Sequence, residues 1–429
     1  MRIQFMFTKK ILVLFMLMVV LAACNPQKPS QSTATTVPAN QLPTKVQIKP
    51  TNTAIPATAT NTVTPTETMT PTAEVSLPSN RMLKNYPKEG YGPSGFPANI
   101  NPLTGLPVTD PSILDRHPVA VKVSIIPRRL SRPPWGISKA DIVFDYYHNN
   151  GYTRFHAIFY GQNAELVGPV RSARLLDDIL IRAYKTVFAY GSADPRINRK
   201  LFNAPYSNRL ALEGSRHNCP PTVGNPFCRY DPNGTDILLI DTQALTEYMA
   251  KNRKVPEKRQ YLDGYYFNLI VPENGITGKQ VFTRYSGDSY NRWDYDPASN
   301  RYLRFQDNVF DQGQGEEYAP MVDRLTNEQI GADNVVILFA KHSYYYKTAT
   351  SEIVRINLNG YGKAIVFRDG KAFKVNWARP KSGEVVFLTY DDGSRFPLHP
   401  GVTWFQVVGT SSKVAQEENG IWRFGFMIP

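Results

Sequence analysis

Cysteine, histidine and long apolar stretches are all scarce in this sequence. The chain of 429 residues has three cysteines and six histidines, and no spacing of these residues matches a metal-binding motif. After the first 24 residues, no apolar run approaches the roughly 20 residues that a membrane-spanning helix needs. The sequence contains neither a glycine-rich phosphate loop nor the Gly-x-Ser-x-Gly elbow of hydrolases. It therefore predicts no metal, no cofactor and no second membrane span.

The first 24 residues have the pattern of a lipoprotein signal. A basic start precedes an apolar run at 11–20, and the motif Leu-Ala-Ala-Cys ends at Cys24. This pattern is typical of a secretory signal peptide, here residues 1–23. A cysteine directly after small residues resembles the bacterial lipobox, in which the thiol is acylated; the alternative is an ordinary signal peptide that contains a cysteine. We expect a lipid anchor on Cys24 at the extracytoplasmic face of the bacterial cell membrane.

The segment that follows is poor in residues that build a core. Residues 24–83 are rich in Thr, Pro, Ala and Ser and carry almost no aromatic residues. Such a segment cannot bury enough apolar surface to offset its ordering entropy. It is predicted to be a disordered linker between the lipid anchor and the folded body.

The chain is strongly basic. Its formal net charge is +13, and removal of residues 1–23 takes away Arg2, Lys9 and Lys10, which leaves +10. This excess favours anionic partners such as phospholipid headgroups, wall polymers or an envelope protein, whereas the predicted compartment disfavours nucleic acid. The alternative is that proteins near anionic surfaces are often basic without binding a specific ligand.

The two remaining cysteines, Cys219 and Cys228, flank a proline-rich loop. An even number of cysteines in an oxidising compartment favours a disulfide bond between them. Two free thiols, or half of a metal site with the nearby His217, are the alternatives.

The folded body is long for a single core, at about 350 residues. Strand and helix patterns alternate in residues 84–260, whereas residues 261–429 carry short runs rich in Val, Ile, Phe and Tyr between turn signals. The predicted fold class is α+β, with a mixed α/β domain at 84–260 and a smaller, mainly β domain at 261–429.

A β-hairpin is predicted around the turn Asn150-Gly151, with strands at 142–148 and 153–160. An unbroken ladder from this turn places Asp145 opposite His156. Alternation then sorts the side chains onto two faces. The predicted core face carries Ile142, Phe144, Tyr146, Phe155, Ala157 and Phe159. The predicted polar face carries Asp145, Tyr147, Arg154 and His156.

Seven short motifs occur in an order that resembles the YerB-like bacterial lipoproteins. They begin at Asn101, Ser138, Thr153, Gly168, Asp333, Phe367 and Pro400. The resemblance covers nearly the whole body and implies a lipoprotein with a two-part body and no established activity. The sequence departs from the family pattern at two places: Tyr190-Gly191-Ser192 replaces a histidine-bearing stretch, and Asn149 and Asn150 replace acidic residues. Both departures weaken a catalytic role at those positions.

The stretch Arg171-Ser172-Ala173-Arg174 is the first candidate site. Ser172 is predicted to cap a helix, and two arginines beside a helix start can bind phosphate or carboxylate through paired donors. Alternatively, Arg171 and Arg174 pair with Asp177, Asp178 or Asp145 to hold the fold together.

The polar hairpin face is the second candidate site, with Asp145, Arg154 and His156. An aspartate can orient a histidine as a general base. The alternative is a surface strand pair with a cross-strand ion pair. A buried Asp145 with a shifted pKa would favour catalysis, and an exposed face would favour binding.

Two further groups carry weaker signals. Ser192 and Asp194 follow a predicted strand, where ligand loops often lie. Trp293, Trp377 and Trp404 could form a glycan platform, but their pattern favours the core.

Two functions follow from these sites. The favoured hypothesis is a lipoprotein that binds an anionic envelope ligand or partner through Arg154, Arg171 and Arg174. The alternative is an envelope hydrolase or transferase in which Asp145 or His156 is the base and the arginines stabilise the developing anion.

Overall fold

The described part of the chain starts at the end of the predicted linker. A computed structural model describes residues 83–214, 216–231, 237–311 and 315–428. Cys24, the predicted signal peptide at 1–23 and all but the last residue of the predicted linker lie outside these ranges. Within them, no helix combines the length and apolar character that a membrane crossing requires.

Helices are few in the described ranges. The α-helices are α1 (Arg128–Ser131), α2 (Leu175–Tyr184), α3 (Pro195–Phe202) and α4 (Thr242–Arg253). Single 3-10 turns occur at Pro111–Leu114, Ile137–Lys139, Ser207–Arg209 and Glu418–Gly420. Asp194 caps α3 by accepting the backbone N–H of Arg196, and Asp241 caps α4 by accepting that of Gln243.

Helix α2 starts two residues later than the predicted cap implies, because its N-cap is Arg174. The backbone N–H of Arg174 donates to the Asp177 carboxylate at 2.6 Å, which is the bond from the third helical residue back to the N-cap. The prediction that Ser172 caps this helix is therefore wrong. The Ser172 hydroxyl instead lies 2.8 Å from that of Ser192.

Strands dominate the described ranges. Those before residue 260 are β1 (Val119–Val123), β2 (Ile142–Asn149), β3 (Tyr152–Phe159), β4 (Val187–Tyr190), β5 (Leu210–Leu212), β6 (Phe227–Tyr230) and β7 (Ile237–Ile240). Those after it are β8 (Tyr266–Phe267), β9 (Ile276–Thr277), β10 (Gln280–Ser286), β11 (Ser289–Asp296), β12 (Arg301–Asp307), β13 (Tyr318–Pro320), β14 (Gly331–Ala332), β15 (Asn334–Lys347), β16 (Glu352–Asn357), β17 (Gly360–Arg368), β18 (Lys371–Arg379), β19 (Phe387–Thr389), β20 (Pro397–Leu398), β21 (Thr403–Gly409), β22 (Lys413–Glu417) and β23 (Ile421–Gly425).

A large mixed sheet organises the molecule. Its strand order is β19-β18-β17-β15-β21-β2-β3-β1-β4-β5, with β16 paired to β15 and β9 paired to β18. Strand β21 runs parallel to both β2 and β15, so Phe405 pairs with Phe144 on one side and with Val336 on the other. The predicted segments 84–260 and 261–429 therefore share one sheet, although their boundary stays a prediction. The described ranges thus contain few helices and many strands, with mixed sheets. The finer division into a mixed α/β domain and a smaller, mainly β domain stays a prediction.

A second sheet covers one face of the large sheet. Its strand order is β13-β12-β11-β10-β23-β22, with β14 paired to β12. Between the two sheets the Trp404 ring contacts those of Trp293 and Phe155, with ring centroids 5.1 Å apart in both pairs. Trp293, Trp377 and Trp404 are all buried, so they are core residues and do not form an exposed glycan platform.

The hairpin of β2 and β3 forms as predicted, but its register differs. Asn150 and Gly151 have φ values of 50° and 83°, the left-handed conformations that a tight hairpin turn needs, and Asn149 pairs with Tyr152. A β-bulge between Tyr147 and Asn149 then shifts the ladder by one residue, so His156 pairs with Phe144. The prediction that Asp145 faces His156 is wrong for this reason.

The loop before β6 is closed covalently. Cys219 and Cys228 form a disulfide bond with their Cα atoms 4.7 Å apart, which confirms the predicted bridge. Cys228 also packs into a small apolar cluster with Trp135, Ile237 and Leu239.

Candidate functional site

The bulge separates the predicted polar residues onto opposite faces of the large sheet. Neighbouring residues of a strand point to opposite sides, so Asp145 projects away from the face that carries Phe144 and His156. The second sheet covers the Asp145 side, whereas α2 covers the His156 side, as the ion-pair partners of the two residues show. Asp145 and His156 therefore cannot act on one substrate.

Asp145 belongs to the interior between the two sheets. Its carboxylate accepts a hydrogen bond from Arg304 at 2.8 Å, and neither residue is exposed. The Arg304 guanidinium also lies over the Trp404 ring, 4.6 Å from its centroid. Burial raises the pKa of Asp145, and the Arg304 charge opposes this rise. Asp145 is thus buried with a shifted pKa, and its described charged partner is Arg304. A catalytic role of Asp145 stays a prediction.

On the other face, Asp177 of α2 is the centre of a buried polar cluster. Its Oδ1 accepts a hydrogen bond from the Tyr146 hydroxyl at 2.6 Å and lies 2.8 Å from Nδ1 of His156. The Lys122 ammonium is 3.4 Å from the same oxygen and also donates to the Tyr146 hydroxyl. We call Lys122, Tyr146, His156 and Asp177 the Asp177 cluster; all four side chains are buried.

The charges in the Asp177 cluster shift several pKa values. Burial alone would raise the pKa of Asp177, but Lys122 and the hydrogen bonds from His156 and Tyr146 lower it below its usual range. Burial lowers the pKa of Lys122 to about 7, against the opposing charge of Asp177. Burial also lowers the pKa of His156. The cluster is buried and ties α2 to β1, β2 and β3, so its contacts position the helix. A catalytic role of His156 stays a prediction.

Above the Asp177 cluster lie three half-buried arginines, Arg154, Arg171 and Arg174, which we call the arginine cluster. Nη1 of Arg154 donates to the Ser172 carbonyl at 2.8 Å. Nη1 of Arg174 donates to the Ala173 carbonyl at 2.9 Å, and its Nε lies 3.4 Å from Nδ1 of His148. Within the described residues, neither Arg154 nor Arg174 pairs with a carboxylate. Arg174 thus forms no side-chain ion pair with Asp177, Asp178 or Asp145, although its backbone N–H donates to Asp177. The predicted alternative for Arg171 stays a prediction.

The arginines act on one another electrostatically. Burial, together with the nearby charges of Arg174 and Arg171, lowers the pKa of Arg154 to about 9. Burial likewise lowers the pKa of Arg174. The pKa of His148 is lowered mainly by burial and next by the charge of Arg154. Asp177 and Asp194 oppose the shift at Arg174 through their negative charges. A bound anion would relieve the repulsion between the arginines further, because it would add negative charge close to them.

The serines predicted as ligand contacts lie beside the arginine cluster. Ser172 and Ser192 are within hydrogen-bond distance of each other, and the Ser192 carbonyl accepts the backbone N–H of Ala173. Asp194 is different: both of its carboxylate oxygens accept hydrogen bonds from Arg196 at 2.9 Å, while it caps α3. Asp194 therefore has a structural position, whereas the two hydroxyls can donate to a ligand.

Sequence reasoning missed Lys122, Tyr146, Asp177 and His148 as members of this region. A usable signal existed for Lys122, because it is the one charged residue in the apolar strand β1 and such a residue needs a buried partner. No such sequence signal existed for His148, because the bulge that turns it toward Arg174 has no local sequence signature. Within the described ranges, no three His, Cys, Asp or Glu side chains lie close enough together to hold a metal ion.

Family comparisons match both predicted segments. The "Protein of unknown function (DUF3048) N-terminal domain" matches residues 103–254, and the corresponding C-terminal domain matches residues 281–405. Together these matches cover more than half of the chain, so the chain belongs to this family of unknown function. The arginine cluster and the Asp177 cluster both lie in the N-terminal match.

Two individual comparisons agree with this family. The chain is 28% identical over 318 residues to a Bacillus subtilis (strain 168) protein named "Putative lipoprotein YerB". The aligned region covers 72% of this chain and 85% of that protein. A crystal structure of the YerB protein from Bacillus subtilis matches with a TM-score of 0.57 at 26% identity, over 72% of this chain and 96% of that chain. The resemblance to YerB-like lipoproteins is thereby confirmed.

Proposed function

We propose that this chain is a lipoprotein anchored through Cys24 at the outer face of the bacterial cytoplasmic membrane, and that its folded body binds an anionic ligand of the cell envelope. Two facts support the anchor: the Leu-Ala-Ala-Cys motif and a relative named as a lipoprotein. The proposed ligand site is the arginine cluster, with the hydroxyls of Ser172 and Ser192 beside it.

The observation that carries the proposal is the set of partners around Arg154 and Arg174. Their guanidinium groups are half-buried, yet their described contacts are carbonyl oxygens and the His148 imidazole. Partial burial of a cation is costly unless an opposite charge compensates it. Guanidinium groups that converge without a carboxylate are suited to a phosphate or carboxylate from outside the chain.

Electrostatics favours a small, highly charged anionic group over a neutral one. The net charge of +10 that remains without residues 1–23 attracts anions from a distance, and salt would weaken this attraction for exposed groups. At close range, each charge-assisted hydrogen bond contributes roughly 1.5–3 kcal/mol. The proposal therefore predicts binding that is salt-sensitive and depends on particular arginines.

The test compares the full chain, in a neutral detergent, with an Arg154→Gln/Arg174→Gln variant for binding of inorganic phosphate and of isolated envelope fractions. We expect the variant to bind about tenfold to a hundredfold more weakly, because it loses charge-assisted donors. A Lys88→Gln/Lys251→Gln variant changes the net charge equally on exposed residues elsewhere and should bind as the unaltered chain does.

Thermal unfolding of each variant checks that the fold is retained. Equal binding by the unaltered chain and a folded Arg154→Gln/Arg174→Gln variant, at low and at moderate salt, would refute the arginine cluster as the ligand site. Equal weakening in the lysine control would show that only the overall charge matters.

A further inference from the structure

A cavity of about 550 Å³ lies beside the arginine cluster, between α2, α3 and the strands β15 and β16. Its apolar lining includes Leu175 and Ile179, which are buried, and Ile356. A single inorganic anion does not fill such a volume, which falls in the range of about 300–1,000 Å³ typical of sites for larger ligands. The cavity therefore fits a ligand with a substantial uncharged part.

The cavity lining carries an excess of positive charge. Its cations are Arg182, Arg196, Arg199, Lys200 and Arg355. Two carboxylates pair with three of these cations: Asp178 with Arg182 and Lys200, and Asp194 with Arg196. Arg199 and Arg355 are exposed, and within the described ranges neither pairs with a carboxylate. These two residues are the natural contacts for an anionic group inside the cavity.

The lining also offers partners for uncharged groups. The Tyr345 ring is 46% exposed, and the Arg355 guanidinium lies over it, 4.9 Å from the ring centroid. The amides of Asn203 and Asn357 face the same cavity. An aromatic face packs against carbon units, and amides hydrogen-bond to hydroxyl groups. The cavity can thus bind hydroxyl-bearing carbon units as well as negative charges.

The cavity is continuous with the arginine cluster along the chain. Leu175 of the cavity directly follows Arg174, and Arg196 of the cavity pairs with Asp194, two residues after Ser192. The hydroxyls of Ser172 and Ser192 lie within hydrogen-bond distance of each other, and this contact connects the two segments. The same pair of segments, 171–175 and 192–196, therefore contributes to both positive regions.

We propose that the cavity and the arginine cluster together bind one polyanionic chain, in which phosphodiester groups alternate with hydroxyl-bearing carbon units. This inference rests on the proposed function, because the arginine cluster holds one of the phosphates. Arg199 and Arg355 hold a second phosphate, and the Tyr345 face and the amides contact the units between them. A concave site with a buried apolar lining suits a chain that enters it better than the flat surface of a bilayer.

The experiment measures dissociation constants of the full chain, in a neutral detergent, for glycerol 1-phosphate and for poly(glycerol phosphate) of increasing length. Concentrations are expressed per phosphate, so that a longer chain gains nothing from offering more equivalent sites. We expect the polymer to bind at least tenfold more tightly than the monomer. An Arg199→Gln/Arg355→Gln variant should lose this gain, so that polymer and monomer bind to it with similar affinity per phosphate.

The lysine control, Lys88→Gln/Lys251→Gln, should keep the gain from chain length. Equal affinity for monomer and polymer, or equal loss in the control and in the Arg199/Arg355 variant, would overturn the polymer site. Monomer binding that still depends on Arg154 and Arg174 would then leave the proposed function intact. Vesicles of phosphatidylglycerol offer the same phosphate chemistry on a flat surface, and an Arg199/Arg355 effect as large on vesicles as on the polymer would also overturn the proposal.

Discussion

Two buried carboxylates, Asp145 and Asp177, lie on opposite sides of the same hairpin and have different partners. Asp145 pairs with a single buried arginine. Asp177 accepts a hydrogen bond from Tyr146, lies within hydrogen-bond distance of His156 and pairs with Lys122. Neither carboxylate reaches the surface. At the scale of single residues, neither carboxylate is therefore accessible to a ligand at this hairpin, which supports the proposal that the neighbouring arginines bind an anion.

The Asp145–Arg304 pair predicts a large effect on stability. An Asp145→Ala change leaves the Arg304 charge buried without a partner, and we expect the free energy of unfolding to fall by about 3–5 kcal/mol. Denaturant unfolding measures this loss. An Asp145→Ala/Arg304→Met variant replaces both charges and should recover most of it, because Met fills the site without a charge.

Loss of less than about 1 kcal/mol in Asp145→Ala would contradict the structural role of the pair. That result would mean that Arg304 finds another partner or reaches solvent.

Sequence alone could predict that Asp145 and His156 lie on neighbouring strands, but not on which faces. Period-two alternation assumes an unbroken ladder, and one inserted residue at a bulge reverses the faces of everything beyond it. Nor could the sequence identify Arg304 as the partner of Asp145, since 159 residues separate them. The Arg171–Arg174 motif was visible because its residues are close in sequence, whereas Arg154 joins them only through folding.

At the scale of elements, the long strand β15 links different environments. Its first half pairs with β17 and β21 in the large sheet, and its second half pairs with β16. His342 lies where the pairing partner of β15 changes. Its Nδ1 is 2.9 Å from the Ala340 carbonyl oxygen, and its ring contacts Phe426. Burial lowers the pKa of His342 to about 4, and the Ala340 carbonyl opposes this shift.

The lowered pKa of His342 predicts a loss of stability in acid. Between pH 6.5 and 4 the unfolded chain binds a proton at His342 that the folded chain does not bind, so the free energy of unfolding falls as the pH falls. The contribution over this range is about 3 kcal/mol. Denaturant unfolding at several pH values should show a shallower profile for His342→Leu than for the unaltered chain.

Other histidines with lowered pKa values, including His148 and His156, contribute to the same acid profile in both proteins, so the difference between the two curves isolates His342. Parallel curves from pH 6.5 to 4 would show that His342 gains its proton freely in the folded chain.

Most of the local elements could be predicted from sequence, because turns and strand patterns depend on neighbouring residues. The Asn150-Gly151 turn, the strand at β4 and helix α4 follow such patterns. The start of α2 could not be placed, because Asp177 rather than Ser172 accepts the free N–H group. The sheet order was also out of reach, since it depends on pairings between distant segments, such as β2 with β21.

At the scale of the whole molecule, the proposed anchor makes a prediction that does not depend on the folded body. In a Cys24→Ser variant the acylated thiol is absent, so we expect the protein to shift from the membrane fraction to the soluble fraction. The basic body should add a salt-sensitive part of the membrane affinity, because anionic headgroups attract it. Fractionation at low and moderate salt, with immunodetection, separates the two contributions.

The unaltered chain in the same fractionation is the control. Full retention of Cys24→Ser in the membrane fraction at moderate salt would rule out the lipid on Cys24 as the main anchor.

The place of β21 in the large sheet also affects how the protein can form. This strand pairs with β2 on one side and β15 on the other, so the sheet remains in two pieces until residues 403–409 have been synthesised. Contacts between segments so far apart in the chain form slowly. A growing chain therefore cannot complete this sheet while it emerges from the ribosome, and such an incompletely folded chain suits the export that the proposed anchor requires.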